Sequence, residues 1–132
     1  IRTGEGAGIT GVIMNSQTVD IFNPKTIRAT MGSIFRVPFV YVPELSPVLT
    51  QMHEKGIHTY AAHLKGKEYY DSFSFREPTA FLIGNEGNGL TKEISDQSGQ
   101  YLKIPMEGKV ESLNASIAAA LLMYEAHRQR KL

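Results

Sequence analysis

Two short apolar segments in the last third of the chain are followed by the residues best suited to hold a ligand. In FLIGNEGNGL, three apolar residues precede Gly84, Gly87 and Gly89. Glycines leave the backbone bare, so a small molecule can contact the main chain there. In IPMEGKVESLNASIAAALLMYE, Pro105 ends an apolar stretch and Ser112 precedes a long helical pattern. The sequence therefore predicts that two strand ends and a helix start meet at a ligand site.

The spacing of these glycines does not identify the ligand. A P-loop needs Lys and then Ser or Thr directly after its last glycine, whereas Leu90, Thr91 and Lys92 follow Gly89. The glycine pattern of dinucleotide-binding proteins is also incomplete. Taken alone, the segment is best interpreted as three turn glycines between a strand and a helix.

Strands and helices are predicted to alternate along the chain and to position these loops. Short apolar runs are typical of buried parallel strands. A polar stretch at residues 65–78 is expected to form a loop. The predicted strands are residues 11–15, 38–42, 57–62, 80–83 and 101–104.

Capping residues predict the helices between these strands. Asn23 before Pro24 is typical of a helix start, and we expect that helix to reach about Phe35. A Ser-Pro pair at residues 46–47 repeats the signal, and Gly56 is expected to follow the end of that helix.

Two more helices and one helical end complete the prediction. Thr91 is expected to cap a short helix, and Ser112 to cap a long one from Leu113 to about Arg130. The first residues, IRTGEGAG, are predicted to be the end of a helix that begins upstream, because the chain starts at Ile1 rather than Met. This order of elements predicts an α/β fold with a mostly parallel sheet, helices on both faces and right-handed crossovers.

The composition is that of one ordinary folded domain over residues 1–132. The sequence is 42% hydrophobic and 20% charged, and it contains no Cys, which excludes a disulfide framework and any thiolate zinc site. The four histidines lack metal-ligand spacing, so no metal is expected. No segment is long and apolar enough to span a membrane, and we expect a cytoplasmic protein. A net charge of +1 gives only weak attraction to nucleic acid.

Both loop segments, in their order and separation, resemble the signature motifs of the SpoU (TrmH-like) branch of the SPOUT RNA methyltransferases. GNEG, IPM and ESLN occur together in the family's order. Residues 20–38, DIFNPKTIRATMGSIFRVP, are similar to the segment between the family's first two motifs, and residues 1–3 to the end of the first. The resemblance implies methyl transfer from S-adenosylmethionine to a ribose 2′-oxygen of rRNA or tRNA. The alternative is a non-catalytic module that binds S-adenosylmethionine or RNA in the same pocket.

The resemblance also implies a fold and an assembly. Family members form a C-terminal trefoil knot that makes the cofactor pocket, and they are homodimers packed partly through the last helix. The apolar residues after Leu113 suit such an interface, although burial against the chain's own sheet is an equal alternative. The family's first strand and the Asn of its first motif would lie before Ile1. We therefore expect an N-terminally incomplete catalytic domain with little activity of its own.

Matching positions imply roles for individual residues. A guanidinium at position 2 can bind an RNA phosphate through two parallel hydrogen bonds and help the ribose hydroxyl lose its proton. The residues implied in catalysis are Arg2, Glu86, Ser112 and Asn114. Those implied in binding the cofactor are Gly84, Asn85, Ile104, Met106, Leu113 and Ala115. Those implied in binding structured RNA are Arg2, Lys25, Arg28 and Arg36.

Each of these residue types also has a plain structural explanation. Ile104 and Leu113 are typical of core packing, although together with Met106 they could enclose an adenine ring. Ser112 and Asn114 are good helix-capping residues. Charged side chains on a helix face are usually just solvated.

Overall fold

The computed structural model describes residues 1–131, which form two compact units, Ile1–Leu45 and a second that begins at Ser46. Each unit contains parallel strands and helices, so the predicted α/β class is confirmed. The strands are divided between two sheets, with two strands in the first unit and three in the second. In the described part of the chain, no helix has both the length and the apolar character needed to cross a membrane.

The first unit is built around a two-stranded parallel sheet. Its small core contains Met14, Ile21 and Ile34, against which Ile1 and Phe39 pack with other half-buried residues. In chain order its elements are α1 (Arg2–Ala7), β1 (Val12–Met14), α2 (Pro24–Ala29), a 3-10 turn (Ser33–Phe35) and β2 (Phe39–Tyr41).

Helix α2 begins as predicted but is shorter than expected. Asn23 caps it, with its side-chain oxygen accepting a hydrogen bond from the Lys25 amide at 2.9 Å. The prediction that it reaches Phe35 was wrong, because Met31 and Gly32 have φ angles of 50° and 87° in the left-handed region. A right-handed helix cannot continue through two such residues, so the chain turns before the 3-10 segment.

The second unit holds a three-stranded parallel sheet and a larger core. Phe75, Leu102 and Leu122 are fully buried at its centre. The Tyr60 ring meets the Phe75 ring edge-on, with centroids 5.1 Å apart. In chain order the elements are α3 (Ser46–Glu54), β3 (His58–Ala62), a 3-10 turn (Tyr70–Ser72), β4 (Thr79–Leu82), α4 (Lys92–Gln97), β5 (Gln100–Leu102) and α5 (Ala115–Arg130).

Several predicted ends of elements in this unit are confirmed. Gly56 follows α3 with a φ of 75°, a conformation that glycine adopts without strain. The Thr91 hydroxyl caps α4 by accepting a hydrogen bond from the Ile94 amide at 3.3 Å. Strand β5 ends two residues earlier than predicted, because Lys103 leaves it to bridge Tyr69 instead.

Helix α5 differs from its prediction in its start and its burial. It starts at Ala115 and is capped by Asn114, so the prediction of a Ser112 cap was wrong. Leu122, Ala126 and Gln129 form one buried stripe. A second stripe, on the opposite side of the helix, is exposed. It consists of Ile117, Leu121 and Tyr124, which are spaced by four and three residues.

Candidate active site

The two motif loops leave the same edge of the three-stranded sheet. Strand β3 lies between β4 and β5, and both pair with it in parallel. The carboxyl ends of all three strands therefore point the same way. Neighbouring strands are about 4.8 Å apart, so the loops after β4 and β5 begin about 10 Å from each other. The structure thus brings the Gly84 loop and the Ile104 segment to one edge, as the sequence predicted.

The loop after β4 folds back tightly on its first glycine. A Cβ placed on Gly84 would lie 2.5 Å from both the Gly89 carbonyl carbon and the Leu90 nitrogen. Backbone atoms cannot move aside as a flexible side chain can. Gly84 is therefore required by the loop's own geometry, and Gly89 closes the turn with a φ of 65°.

Asn85 shapes this loop, and Glu86 lies on its surface. The Asn85 side-chain oxygen accepts a hydrogen bond from the Gly87 amide, and its carbonyl accepts one from the Gly89 amide, both at 2.7 Å. Such a side-chain turn is typical of asparagine. Glu86 is exposed, so its carboxylate is accessible to a molecule outside the loop.

The segment after β5 leaves a run of backbone polar groups accessible to a ligand. Among the described residues, positions 104–113 make no hydrogen bond between backbone groups. Backbone amides and carbonyls in such a segment are available to side chains, to water or to a ligand. Ile104, Met106 and Leu113 are half-buried along it, and Ile104 also packs on the unit's core. Apolar side chains beside accessible backbone groups match the chemistry of a flat heteroaromatic ring.

The end of this segment is set by the cap of α5. The Asn114 side-chain oxygen accepts hydrogen bonds from the Ser116 and Ile117 amides at 2.9 and 3.3 Å. Ser112 is exposed and lies two residues before the Asn114 cap, with Ala115 half-buried at the first helical position. The Asn114 oxygen is thus occupied by the cap, while its amide nitrogen remains able to donate.

A third loop, which the sequence did not single out, is fastened to the end of β5. The His63 amide donates to the Leu102 carbonyl at 2.9 Å, and the Lys103 amide donates to the Glu68 carbonyl at 3.1 Å. The Lys103 ammonium lies 5.2 Å from the centre of the Tyr69 ring. This loop follows β3, the central strand, so it leaves the same edge as the two motif loops.

The remaining predicted residues belong to the first unit and are exposed. Arg2 is the first residue of α1. Lys25 and Arg28 lie three residues apart on α2, which makes them neighbours on its surface. Arg36 follows the 3-10 turn, and its side chain is 57% exposed.

Arg36 is engaged by a carboxylate that the sequence did not identify. Glu5 on α1 accepts hydrogen bonds from the Arg36 Nε, from its Nη2 at 2.9 Å, and from the Ser33 hydroxyl. Mainly because of the Arg36 hydrogen bonds, the pKa of Glu5 is lowered to about 2. The sequence indicates this pair only by the opposite charges of Glu5 and Arg36, which are 31 residues apart. Among residues 1–131, no group of three or more His, Asp or Glu side chains could hold a metal ion.

Comparison with known proteins shows what this arrangement is similar to. Residues 1–124 match the model of the SpoU rRNA Methylase family. A TrmH family protein of Staphylococcus haemolyticus is 35% identical over 130 residues, which are 98% of this chain and 52% of that protein.

Solved structures agree with these sequence matches. The SpoU methyltransferase AviRb from Streptomyces viridochromogenes, in complex with the cofactor AdoMet, superimposes with a TM-score of 0.90 at 33% identity, over 98% of this chain and 51% of that one. An AdoMet-bound rRNA methyltransferase from Sinorhizobium meliloti gives a TM-score of 0.87 at 33% identity, over 96% of this chain and 49% of that one. The chain spans about half the length of each of these three proteins.

Proposed function

Because the chain belongs to the SpoU rRNA Methylase family, we propose that it transfers a methyl group from S-adenosylmethionine to a ribose 2′-hydroxyl of rRNA or tRNA. The observation that best supports this is the sheet edge from which both a tight glycine loop and residues 104–113 leave. In that segment, no described backbone group bonds to another backbone group. We also propose that the C-terminal part of the chain forms a trefoil knot, as the resemblance to the family implies. The enzyme would work in the cytoplasm.

The residues at this edge suit S-adenosylmethionine. Its sulfonium supplies an activated methyl group, so no metal is needed to make the carbon electrophilic. Half-buried Ile104, Met106 and Leu113 would enclose the adenine, and the backbone of their segment would read its edge. The loop of Gly84 and Asn85, with Ala115 at the start of α5, would complete the pocket.

The protein's own groups would position and activate the ribose. In the proposed reaction the oxygen forms a bond to the methyl carbon, the carbon–sulfur bond breaks with its electrons going to sulfur, and the hydroxyl proton leaves to solvent. Arg2 would orient the RNA phosphate and favour loss of that proton through its positive charge. Glu86, Ser112 and Asn114 would hold the ribose by hydrogen bonds. Lys25 and Arg28, both exposed, would bind RNA phosphates, with Arg36 as a further contact.

Testing the function requires the full-length protein and its cellular RNA. Mapping 2′-O-methylation in RNA from cells with and without the protein should reveal one nucleotide that loses its methyl group. Calorimetry should show binding of S-adenosylmethionine and competition by S-adenosylhomocysteine. Tight binding of ATP or NAD in place of S-adenosylmethionine would overturn the proposal. Cofactor binding with no methylation of any cellular RNA would favour the non-catalytic binding module.

A homodimer is part of the proposal, and it is supported by the exposed apolar stripe of α5. Ile117, Leu121 and Tyr124 are 53%, 38% and 46% exposed, and Tyr70 lies beside them. A second copy of the chain would remove this surface from water. Leu122, although adjacent, is fully buried and belongs to the core.

Sedimentation should distinguish the interface from the core. We expect Leu121→Lys to shift the protein toward monomer with little change in its melting temperature, whereas Leu122→Lys should unfold it. Gln51→Lys, at an exposed position of α3, is the control and should leave the dimer intact. A Leu121→Lys protein that sediments like the wild type would exclude this stripe as the interface.

A further inference from the structure

Helix α1 carries Arg2 but has little intrinsic stability. Its sequence, RTGEGA, includes two glycines. Each internal glycine costs a helix about 1 kcal/mol relative to alanine. Contacts with the rest of the first unit therefore help to keep α1 helical.

Glu5 supplies the polar part of these contacts. Its carboxylate accepts two hydrogen bonds from the Arg36 guanidinium and one from the Ser33 hydroxyl, so it ties α1 to the 3-10 turn and the residue after it. Ser33 is only 2% exposed, so its hydroxyl has no ready replacement in water. The bidentate geometry fixes orientation as well as distance.

Gly32 keeps the space that this arrangement needs. Its φ is 87°, and a Cβ on it would lie 3.0 Å from the Arg36 Nη1. A side chain at position 32 would therefore press on the guanidinium that binds Glu5. We call Glu5, Ser33 and Arg36 the carboxylate clamp. Helix α1 is also attached through Ile1, which packs on the core of the first unit.

We propose that Glu5 is a positioning residue for Arg2, holding the helix on which Arg2 meets the RNA phosphate; this inference rests on the proposed function. Arg2 and Glu5 are three residues apart, and the Glu5 amide donates to the Ile1 carbonyl at 2.9 Å in the first turn. Fixing Glu5 therefore fixes the start of the helix, including the backbone of Arg2. Arg36 acts on the helix through its Nε and Nη2, which both bond to Glu5.

A double-mutant cycle separates this role from a general effect on folding. In single-turnover methylation at saturating RNA and S-adenosylmethionine, we expect Glu5→Gln to slow transfer about tenfold with unchanged cofactor affinity. In an Arg2→Ala background the same change should have no further effect, because the residue that Glu5 positions is already gone. Glu44→Gln, an exposed glutamate of the same unit, is the matched control and should not alter the rate.

Other outcomes would overturn the inference. Equal slowing by Glu5→Gln with and without Arg2 would show a general structural effect, and an unchanged rate would remove Glu5 from the reaction. Hydrogen exchange on the full-length protein gives a readout that does not depend on activity. The amides of α1 should exchange faster in Glu5→Gln and Ser33→Ala than in Glu44→Gln, and equal protection in all three would refute the clamp. A wild-type protein that binds no cofactor and methylates no RNA would instead overturn the proposed function, while the exchange result would still stand.

Discussion

The two units present their candidate functional groups in different ways. In the second unit, backbone in the loops at one sheet edge forms the candidate cofactor site, above a core in which Phe75, Leu102 and Leu122 are fully buried. In the first unit, the candidate catalytic group is the side chain of Arg2 on a short helix held by an ion pair. The candidate site of the second unit should therefore be most sensitive to an added side-chain atom. The candidate site of the first unit should be most sensitive to the removal of a charge.

Adding one methyl group at Gly84 should have the largest effect. A Cβ there would collide with backbone at 2.5 Å, and overpacking of this kind costs about 2 kcal/mol or more. We expect Gly84→Ala to abolish measurable S-adenosylmethionine binding by the full-length protein in calorimetry. Gly11→Ala, outside the candidate cofactor site, is the control, since a Cβ on Gly11 comes no closer than 3.4 Å to the Pro38 carbonyl oxygen. Similar affinities for the two variants would show that the loop after β4 does not form the cofactor site.

Among changes in the first unit, removing the charge of Arg2 should have the largest effect on the rate of methyl transfer. We expect Arg2→Ala to lower the single-turnover rate about 100-fold, or roughly 3 kcal/mol of transition-state stabilisation, with unchanged cofactor affinity. Arg2→Lys should recover little, because an ammonium cannot reproduce the two parallel hydrogen bonds. Arg28→Ala, which removes an exposed cation of the same unit, should weaken RNA binding without slowing saturated transfer. An Arg2→Ala enzyme as fast as the wild type would remove Arg2 from the mechanism.

Acid should remove one ionic contact from each unit. The pKa of Glu125 is lowered to about 2, chiefly by hydrogen bonds from Arg128, and that of Glu5 is lowered to about 2 by Arg36. A carboxyl whose pKa is lower in the folded state stabilises the fold above its unfolded pKa of about 4.5, and this stabilisation is lost as the pH falls toward 2. Urea unfolding should therefore show that Glu125→Gln and Glu5→Gln differ from the wild type at pH 6 and converge on it near pH 2. Differences that persist at pH 2 would mean that the carboxylates' charge is not what stabilises the fold.

Local patterns in the sequence were enough to predict most of the fold. Apolar runs identified the five strands found within residues 1–131, since buried parallel strands are nearly continuous in apolar residues. Asn23 and Thr91 were correctly predicted as caps, because their short side chains bond to amides two or three residues ahead. The resemblance to the SpoU family, which depended on GNEG, IPM and ESLN, is confirmed by the family match over residues 1–124.

Features that depend on distant contacts could not be predicted in this way. Glu5 and Arg36 are paired across 31 residues, and nothing near either residue indicates its partner. The end of α2 depends on the left-handed backbone of Met31, a residue type that seldom adopts it. The sequence predicted that Gly84 lacks a side chain so that a ligand can contact its backbone. The structure shows that the loop's own backbone occupies the space that a side chain would need. The burial of a single stripe of α5 reflects packing against the core rather than composition.

The choice between two possible caps of α5 gives the smallest predicted effect. Ser112 and Asn114 are both good capping residues, but only Asn114 bonds to the helix, accepting from the Ser116 and Ile117 amides. Loss of such a cap costs about 1 kcal/mol, because two amides of the first helical turn lose their acceptor. We expect Asn114→Ala to lower the free energy of unfolding by about that amount in urea titration, and Ser112→Ala, at an exposed position, to leave it within about 0.3 kcal/mol of the wild type. Asn114→Asp should retain the stability, since its carboxylate can accept the same two hydrogen bonds and favours a helix N-terminus. Equal losses for Ser112→Ala and Asn114→Ala would mean that the helix begins at Leu113, as its sequence pattern alone predicts.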